Sequence, residues 1–86
     1  MTYTLTNDYV WKEIGKQVVV LHYETGAYWT LNETASLIWK STLDGLSFDE
    51  VTQRVSMEFS ISPDNAQVDI REFLASCIDK KMLLPA

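Results

Sequence analysis

The sequence has little of what most catalytic and metal sites are built from. Its 86 residues include one cysteine, Cys77, and one histidine, His22. A single cysteine excludes an internal disulfide, and a zinc site would need other ligands. Glycines number three, and all stand in predicted turns, so the chain has no glycine-rich phosphate loop. We therefore expect neither a cofactor nor a metal ion.

Basic residues and long apolar runs are also scarce. Seven Lys and Arg stand against twelve Asp and Glu, which gives a net charge of −5. An acidic domain repels a phosphate backbone, so nucleic acid is not an expected partner. The longest unbroken apolar run, Val18 to Leu21, is far shorter than the roughly 20 residues that cross a bilayer. The N-terminus does not resemble a signal peptide, and we expect a cytoplasmic protein without membrane contact.

The length and the aromatic content favour one small domain over residues 1–86. Three Trp, four Tyr and three Phe supply large apolar side chains for a core. A domain of this size buries only about 60–65% of the surface that its unfolded chain exposes. Such a core supports an independent fold but leaves no room for a deep catalytic cavity.

Strand patterns fill the first third of the chain. Tyr9–Ile14 alternates roughly in polarity, and Gln17–Tyr23 is rich in β-branched residues, with a tight turn at Gly15 between them. Gly26 supplies the positive φ that a second hairpin loop needs, and Tyr28–Leu31 follows as a third strand. The pattern predicts a three-stranded antiparallel meander with the third strand at its edge.

Helix patterns fill the rest of the chain. Asn32, Ser47 with Glu50, and Ser62 with Pro63 have the residue types that begin helices. The three predicted helices run from Asn32 to about Leu43, from Ser47 along an apolar stripe that ends at Phe59, and from Pro63 to about Lys81. The apolar tail Met82–Leu84 should pack back on the core. Together these elements predict an α+β, winged-helix-like fold, with the sheet followed by three helices.

Catalytic candidates are few, and each has a simpler structural explanation. Cys77 lies on the apolar stripe of the third helix, where a buried thiol is inert packing. His22 lies in mid-strand, as an ordinary strand residue. Asp49 and Glu50 stand at a helix start, where carboxylates complement the helix dipole. A small enzyme that uses Cys77 and His22 stays open as an alternative, but the residues favour a protein without catalytic activity.

A winged-helix shape raises DNA binding as a second alternative. The third helix would lie in the major groove of DNA. Its charged residues are Asp64, Asp69, Arg71, Glu72, Asp79, Lys80 and Lys81. Acidic residues outnumber basic ones until the last turn. The acidic balance therefore disfavours a DNA-binding regulator.

A series of short motifs at fixed spacing extends over roughly residues 9–84. They are Leu21, Glu24-Thr25-Gly26, Tyr28-Trp29, Leu31-Asn32, Ala35 and Ile38-Trp39, followed by Ser47 to Val55, Asp69-Ile70, Phe73-Leu74 and Leu83-Leu84. Together they resemble the PqqD-like family, named after pyrroloquinoline quinone synthesis protein D. The Thr-Gly turn, Leu-Asn and Ile-Trp at this spacing are the most specific part of the resemblance.

The resemblance implies a precursor-peptide recognition element. Such a domain binds the leader segment of a ribosomally made precursor peptide and presents it to a modifying enzyme. That enzyme would be a radical-SAM enzyme or the protease and cyclase of a lasso-peptide pathway. The lasso pathway is favoured, because free-standing leader binders paired with a separate protease are typical there, and this chain ends just past the domain. A structural subunit that binds only its partner enzyme is a variant of this hypothesis.

The resemblance also implies how the leader binds. It would add a strand to the sheet edge and lie in a groove bordered by the third helix. The expected peptide-binding residues are Tyr28, Trp29, Thr30 and Leu31 on the strand, Ile70, Phe73, Leu74 and Cys77 on the groove floor, and Asp69, Ser76 and Lys80 on its flanks. Arg71 would also flank the floor, on one side or the other. The helix rotation, and hence the flank that contacts the peptide, stays open. An open strand edge could also pair two copies of the chain as a homodimer.

Overall fold

The computed structural model describes residues 3–85, which form five strands and three helices. In chain order these are β1 (Tyr3–Leu5), β2 (Tyr9–Ile14), β3 (Gln17–His22), β4 (Tyr28–Thr30), α1 (Glu33–Leu43), α2 (Phe48–Phe59), α3 (Pro63–Asp79) and β5 (Leu83–Pro85). The predicted α+β fold, with a three-stranded antiparallel sheet followed by three helices, is confirmed. Its likeness to a winged helix is loose.

The three-stranded sheet has the order β2-β3-β4, so β3 is central and β4 is an edge strand, as predicted. Side chains alternate between its two faces. Val18 and Val20 are fully buried on the inner face, which packs against α1. Val19 and Leu21 point to the outer face. Strands β3 and β4 each end one residue earlier than predicted. The Leu31 N–H nevertheless donates to the Val18 carbonyl at 2.8 Å.

The predicted helix starts are confirmed in detail. Asn32 Oδ1 accepts a hydrogen bond from the Ala35 N–H at 2.8 Å. Ser47 Oγ accepts from the Glu50 N–H, and the Glu50 carboxylate accepts in return from the Ser47 N–H at 2.9 Å. These side chains satisfy donors that a helix start would otherwise leave without partners. None of the helices within residues 3–85 has the combination of length and apolarity that crossing a bilayer requires.

Helix α3 ends at Asp79, two residues before the predicted end. Lys81 has a φ of 61°, and its N–H donates to the Ile78 carbonyl, while the Met82 N–H donates to the Cys77 carbonyl at 2.9 Å. This pair of bonds is a Schellman motif, in which a left-handed residue reverses the chain at a helix end. The reversal sends the chain back across the core instead of outward into solvent.

A second sheet joins the two ends of the described chain. β1 pairs antiparallel with β5, with Leu5 opposite Leu83. Met82 and Leu83 are buried, as the predicted apolar tail requires, whereas half of the Leu84 surface stays exposed. The sequence pattern does not reveal β1 and β5, because neither segment alternates clearly in polarity and their pairing is not local.

Candidate functional site

Within residues 3–85, one edge of β4 is open and presents unpaired backbone hydrogen-bonding groups. The other edge pairs with β3: the His22 N–H donates to the Ala27 carbonyl, and the Leu31 N–H donates to the Val18 carbonyl, both at 2.8 Å. In antiparallel sheets, residues bonded to the partner alternate with residues whose backbone groups face away. Trp29 therefore bonds to β3, and the N–H and C=O groups of Tyr28 and Thr30 face outward.

The side chains of β4 lie on opposite faces of the sheet. Trp29 is half-buried on the inner face, with its ring 5.9 Å from that of Tyr9. Tyr28 is 67% exposed on the outer face. Tyr28 is therefore the aromatic residue of β4 that points away from the core.

We call the surface between helix α3 and strand β4 the groove. α3 packs on α1, α2 and β5, whereas β4 packs on β3. The α3 flank that carries Asp69 and Phe73 lies beside Asn32, directly after the end of β4. On the opposite flank, the Arg71 guanidinium lies 5.0 Å from the centre of the Phe48 ring. The structure thus fixes the helix rotation that the sequence left open, and Arg71 faces away from the groove.

The predicted floor residues have different positions. Ile70 and Cys77 are buried in the core, beneath the groove. Leu74 points toward Tyr3 and away from β4. Phe73 is half-buried on the groove side. Of the four, Phe73 is thus the side chain placed to touch a molecule in the groove, while the others shape the helix packing below it.

Burial also determines the chemistry of Cys77. Its thiol is free and buried, and desolvation raises the pKa to about 12, although nearby Lys80 acts slightly in the opposite direction. The group is therefore a neutral thiol near neutral pH, which fits the predicted packing role. Within residues 3–85, no cluster of acidic, histidine or cysteine side chains has the arrangement of a metal site.

The C-terminal end of α3 is tied to the sheet near the start of β4. The Tyr9 hydroxyl donates to the Lys80 carbonyl at 2.7 Å, and Lys80 Nζ donates to Ser76 Oγ at 2.6 Å. The Tyr9 ring also meets His22 edge-on at 4.8 Å. His22 Nδ1 accepts from the Thr25 N–H, so this histidine supports the hairpin loop. Ser76 and Lys80 thereby form one end of the groove.

A depression of about 420 Å³ forms the other end of the groove. Its walls are the start of α1 and the middle of α3, and the lining residues are Asn32, Thr34, Ala35, Ile38, Asp69, Glu72 and Phe73. The family resemblance indicates Asp69 and Phe73 as site residues but not Glu72 or the α1 residues. The signal for Glu72 was its position three residues after Asp69, which puts the two carboxylates on neighbouring turns.

The outer face of the sheet is unusually apolar for a solvent-facing surface. Val10 and Ile14 are more than half exposed, and they line an open depression of about 350 Å³ together with Trp11, Lys12, Val19, Leu21 and Tyr28. Antiparallel sheets that face water usually carry polar residues on that side. Contiguous exposed apolar surface commonly marks an interaction site. This face meets the open edge at Tyr28.

Comparison with known proteins decides the family. The profile described as coenzyme PQQ synthesis protein D (PqqD) matches residues 17–83, from the start of β3 to the start of β5. The chain belongs to the PqqD family. No curated protein matches it.

Two solved structures of similar proteins share the fold along the whole chain. One is described as TbiB1 in complex with the TbiA(beta) leader peptide; it is 28% identical, with a TM-score of 0.85, over 100% of this chain and 98% of that one. The other is a lasso peptide synthetase B1 complexed with the leader peptide, 30% identical, with a TM-score of 0.89, over 99% of this chain and 100% of that one. Both of these similar proteins were solved with a leader peptide bound.

Proposed function

We propose that this chain is a non-catalytic adaptor that binds the leader segment of a ribosomally made precursor peptide. The observation that carries the proposal is the full-length likeness to two proteins solved with a leader peptide. The open edge of β4 beside α3 supplies a physical mode for the same task. An extended peptide would add a fourth strand at Tyr28–Thr30 and lie in the groove.

Main-chain hydrogen bonds would supply affinity without reading the leader sequence. Tyr28 and Thr30 each turn one N–H and one C=O outward, so a neighbouring strand can form about four ladder bonds. Each is worth about 0.5–1.5 kcal/mol net. Because the bonds involve backbone atoms alone, they tolerate sequence change in both partners.

Side chains facing the groove would supply selectivity. Every second residue of an added strand points inward, over Trp29 and Phe73. Burying one apolar leader side chain there gains about 1.5–3 kcal/mol. Ordering a flexible leader costs about 2–5 kcal/mol. The favourable contributions exceed this cost by at most about 7 kcal/mol, which corresponds to a dissociation constant of about 10 µM or weaker and permits capture and release.

We further propose that the adaptor delivers the precursor to a separate modifying enzyme of a lasso-peptide pathway. The 30% identical relative described as a lasso peptide synthetase B1 favours this pathway over a radical-SAM enzyme. Holding the leader raises the local concentration of the attached core peptide at the enzyme to about the millimolar range. The apolar outer face, which meets the leader edge at Tyr28, offers surface for that enzyme to contact.

A fluorescence titration tests the proposal. The leader segment of the cognate precursor peptide is added to the wild-type protein and to Trp29→Phe. We expect a blue shift at saturation in the wild type, because the leader covers half-exposed Trp29, and a much smaller shift in the variant. Trp39 is fully buried and should not report binding. The absence of binding at leader concentrations of several hundred micromolar would contradict the proposed function.

A further inference from the structure

The two ends of the groove carry opposite charge. Asp69 and Glu72 line the depression at the end of β4, and the residues lining it include no base. Within residues 3–85 neither carboxylate forms a salt bridge. Lys80 stands at the opposite end, where Tyr9 ties it to the sheet beside Trp29. An occupant of the groove therefore meets a negative pole at one end and a positive pole at the other.

The start of α1 does not cancel the negative pole. Its helix dipole contributes about half a unit of positive charge at Asn32. The Asn32 side chain already accepts from the Ala35 N–H at 2.8 Å, so part of that end is satisfied internally. Asp69 and Glu72 bring two full negative charges when ionised. The depression is therefore negative overall.

The depression also suits a long side chain with an apolar stem. Phe73 and Ala35 are half-buried in its walls, and the two carboxylates lie on its α3 side. Lysine and arginine have this character, since their stems pack on apolar surface while their heads stay charged. A volume of about 420 Å³ leaves space for either.

We propose that this depression is a specificity pocket for a lysine or arginine of the bound leader, and that Lys80 pairs with an acidic leader residue at the other end. The inference rests on the proposed leader-binding function and adds a charge order to it, meaning the order in which a basic and an acidic residue follow each other along the leader. The groove thus selects the register of the leader, which the sequence-independent ladder bonds cannot do.

The geometry also sets the spacing of the two leader charges. α3 runs antiparallel to β4, and the rise from Asp69 and Glu72 to Lys80 is about 12–17 Å along the helix axis. An extended strand covers that length in about four to five residues. Because both side chains must point inward, the separation must be even, and it is therefore about four residues.

Leader variants test the charge order. A Lys and a Glu are placed four residues apart in the leader, and the pair is moved along it one residue at a time, in both orders. Each pair of peptides has the same composition, so general attraction to an acidic protein cancels. At one inward-facing register we expect one order to bind roughly 5- to 10-fold more tightly than the other. Registers that face outward should show no order preference.

The sign of the preference reports the direction of the added strand. Antiparallel addition, which is slightly more stable, puts Lys first. The opposite sign would report a parallel strand and would still support the charge order.

Protein variants identify the pocket. The double variant Asp69→Asn with Glu72→Gln should remove most of the order preference. The control is Asp64→Asn with Asp79→Asn, which changes the net charge by the same amount on other faces of α3. This control should retain the order preference. Asp69→Lys with Glu72→Lys and Lys80→Glu should invert it. If the unmodified leader binds and both orders bind equally at every register, the pocket assignment is overturned while the proposed function survives. If the unmodified leader does not bind, the proposed function itself fails.

Discussion

The hydroxyl of Tyr9 donates a 2.7 Å hydrogen bond to the main-chain carbonyl of Lys80, which joins the first strand of the three-stranded sheet to the last turn of α3. Tyr9 is buried, and its ring also contacts His22 and Trp29. This bond therefore ties the C-terminal end of α3 to the sheet that carries β4.

Removing that hydroxyl should weaken both fold and groove. We expect Tyr9→Phe to lower the free energy of unfolding by about 1 kcal/mol, because the Lys80 carbonyl loses its donor. Leader affinity should fall as well, since the helix end is no longer fixed. Urea denaturation and a leader titration measure the two effects. Tyr23→Phe, at an exposed tyrosine, serves as the control, and equal stability of Tyr9→Phe and wild type would contradict the structural role of the bond.

Proline at the open edge should block strand addition. Thr30→Pro removes an N–H that faces outward and leaves the bonds to β3 intact, as edge positions permit. We expect leader affinity to fall roughly 5- to 10-fold, because one ladder bond is lost. The matched control is Glu13→Pro, which removes an outward N–H from the other edge strand, β2. A similar loss in both variants would show that the effect does not arise at β4.

Phe73 should provide the main apolar contact from α3. Phe73→Ala is expected to weaken leader binding roughly 10-fold or more, because a buried apolar contact of about 1.5–3 kcal/mol is lost. Ile78→Ala removes an exposed apolar side chain from the opposite flank and should change affinity by no more than about twofold. Both dissociation constants follow from fluorescence anisotropy with a labelled leader. Equal losses would place the leader elsewhere on the helix.

The capping box of α2 should make stability depend on pH. Hydrogen bonds from the Ser47 backbone and hydroxyl lower the pKa of Glu50 below its ordinary value of 4.5. The ionised carboxylate therefore stabilises the folded state, fully above pH 4.5, and this contribution is lost as pH falls through the lowered pKa.

The measurement compares urea denaturation of the wild type and Glu50→Gln at pH 7 and at pH 3. We expect the stability difference between the two proteins to shrink at pH 3. Glu58→Gln, at an exposed carboxylate outside the capping box, is the control for general charge effects. A difference that stays constant with pH would contradict the role of the ionised carboxylate.

Local patterns predicted much of the fold. The alternation in β3 placed Val18 and Val20 inside because a strand has a period of two, and the starts of all three helices follow from short side chains that cap nearby N–H groups. The edge position of β4 followed from two tight turns in succession. Each of these features depends on residues that are neighbours in sequence.

Features that depend on distant contacts were missed. The pairing of Leu5 with Leu83 joins opposite ends of the chain. The rotation of α3 depends on how Ile70 and Leu74 pack against other elements, so the sequence could not separate the Asp69 flank from the Arg71 flank. The end of α3 depends on a left-handed lysine, Lys81, which has no residue signature comparable to glycine.

Amide hydrogen exchange at β4 tests the proposed strand addition most directly. The N–H groups of Tyr28 and Thr30 face outward, whereas that of Trp29 is bonded to β3. With saturating leader, we expect exchange to slow strongly at Tyr28 and Thr30 and to change little at Trp29. Unchanged exchange at Tyr28 and Thr30 while the leader is fully bound would show that the leader does not pair with this edge.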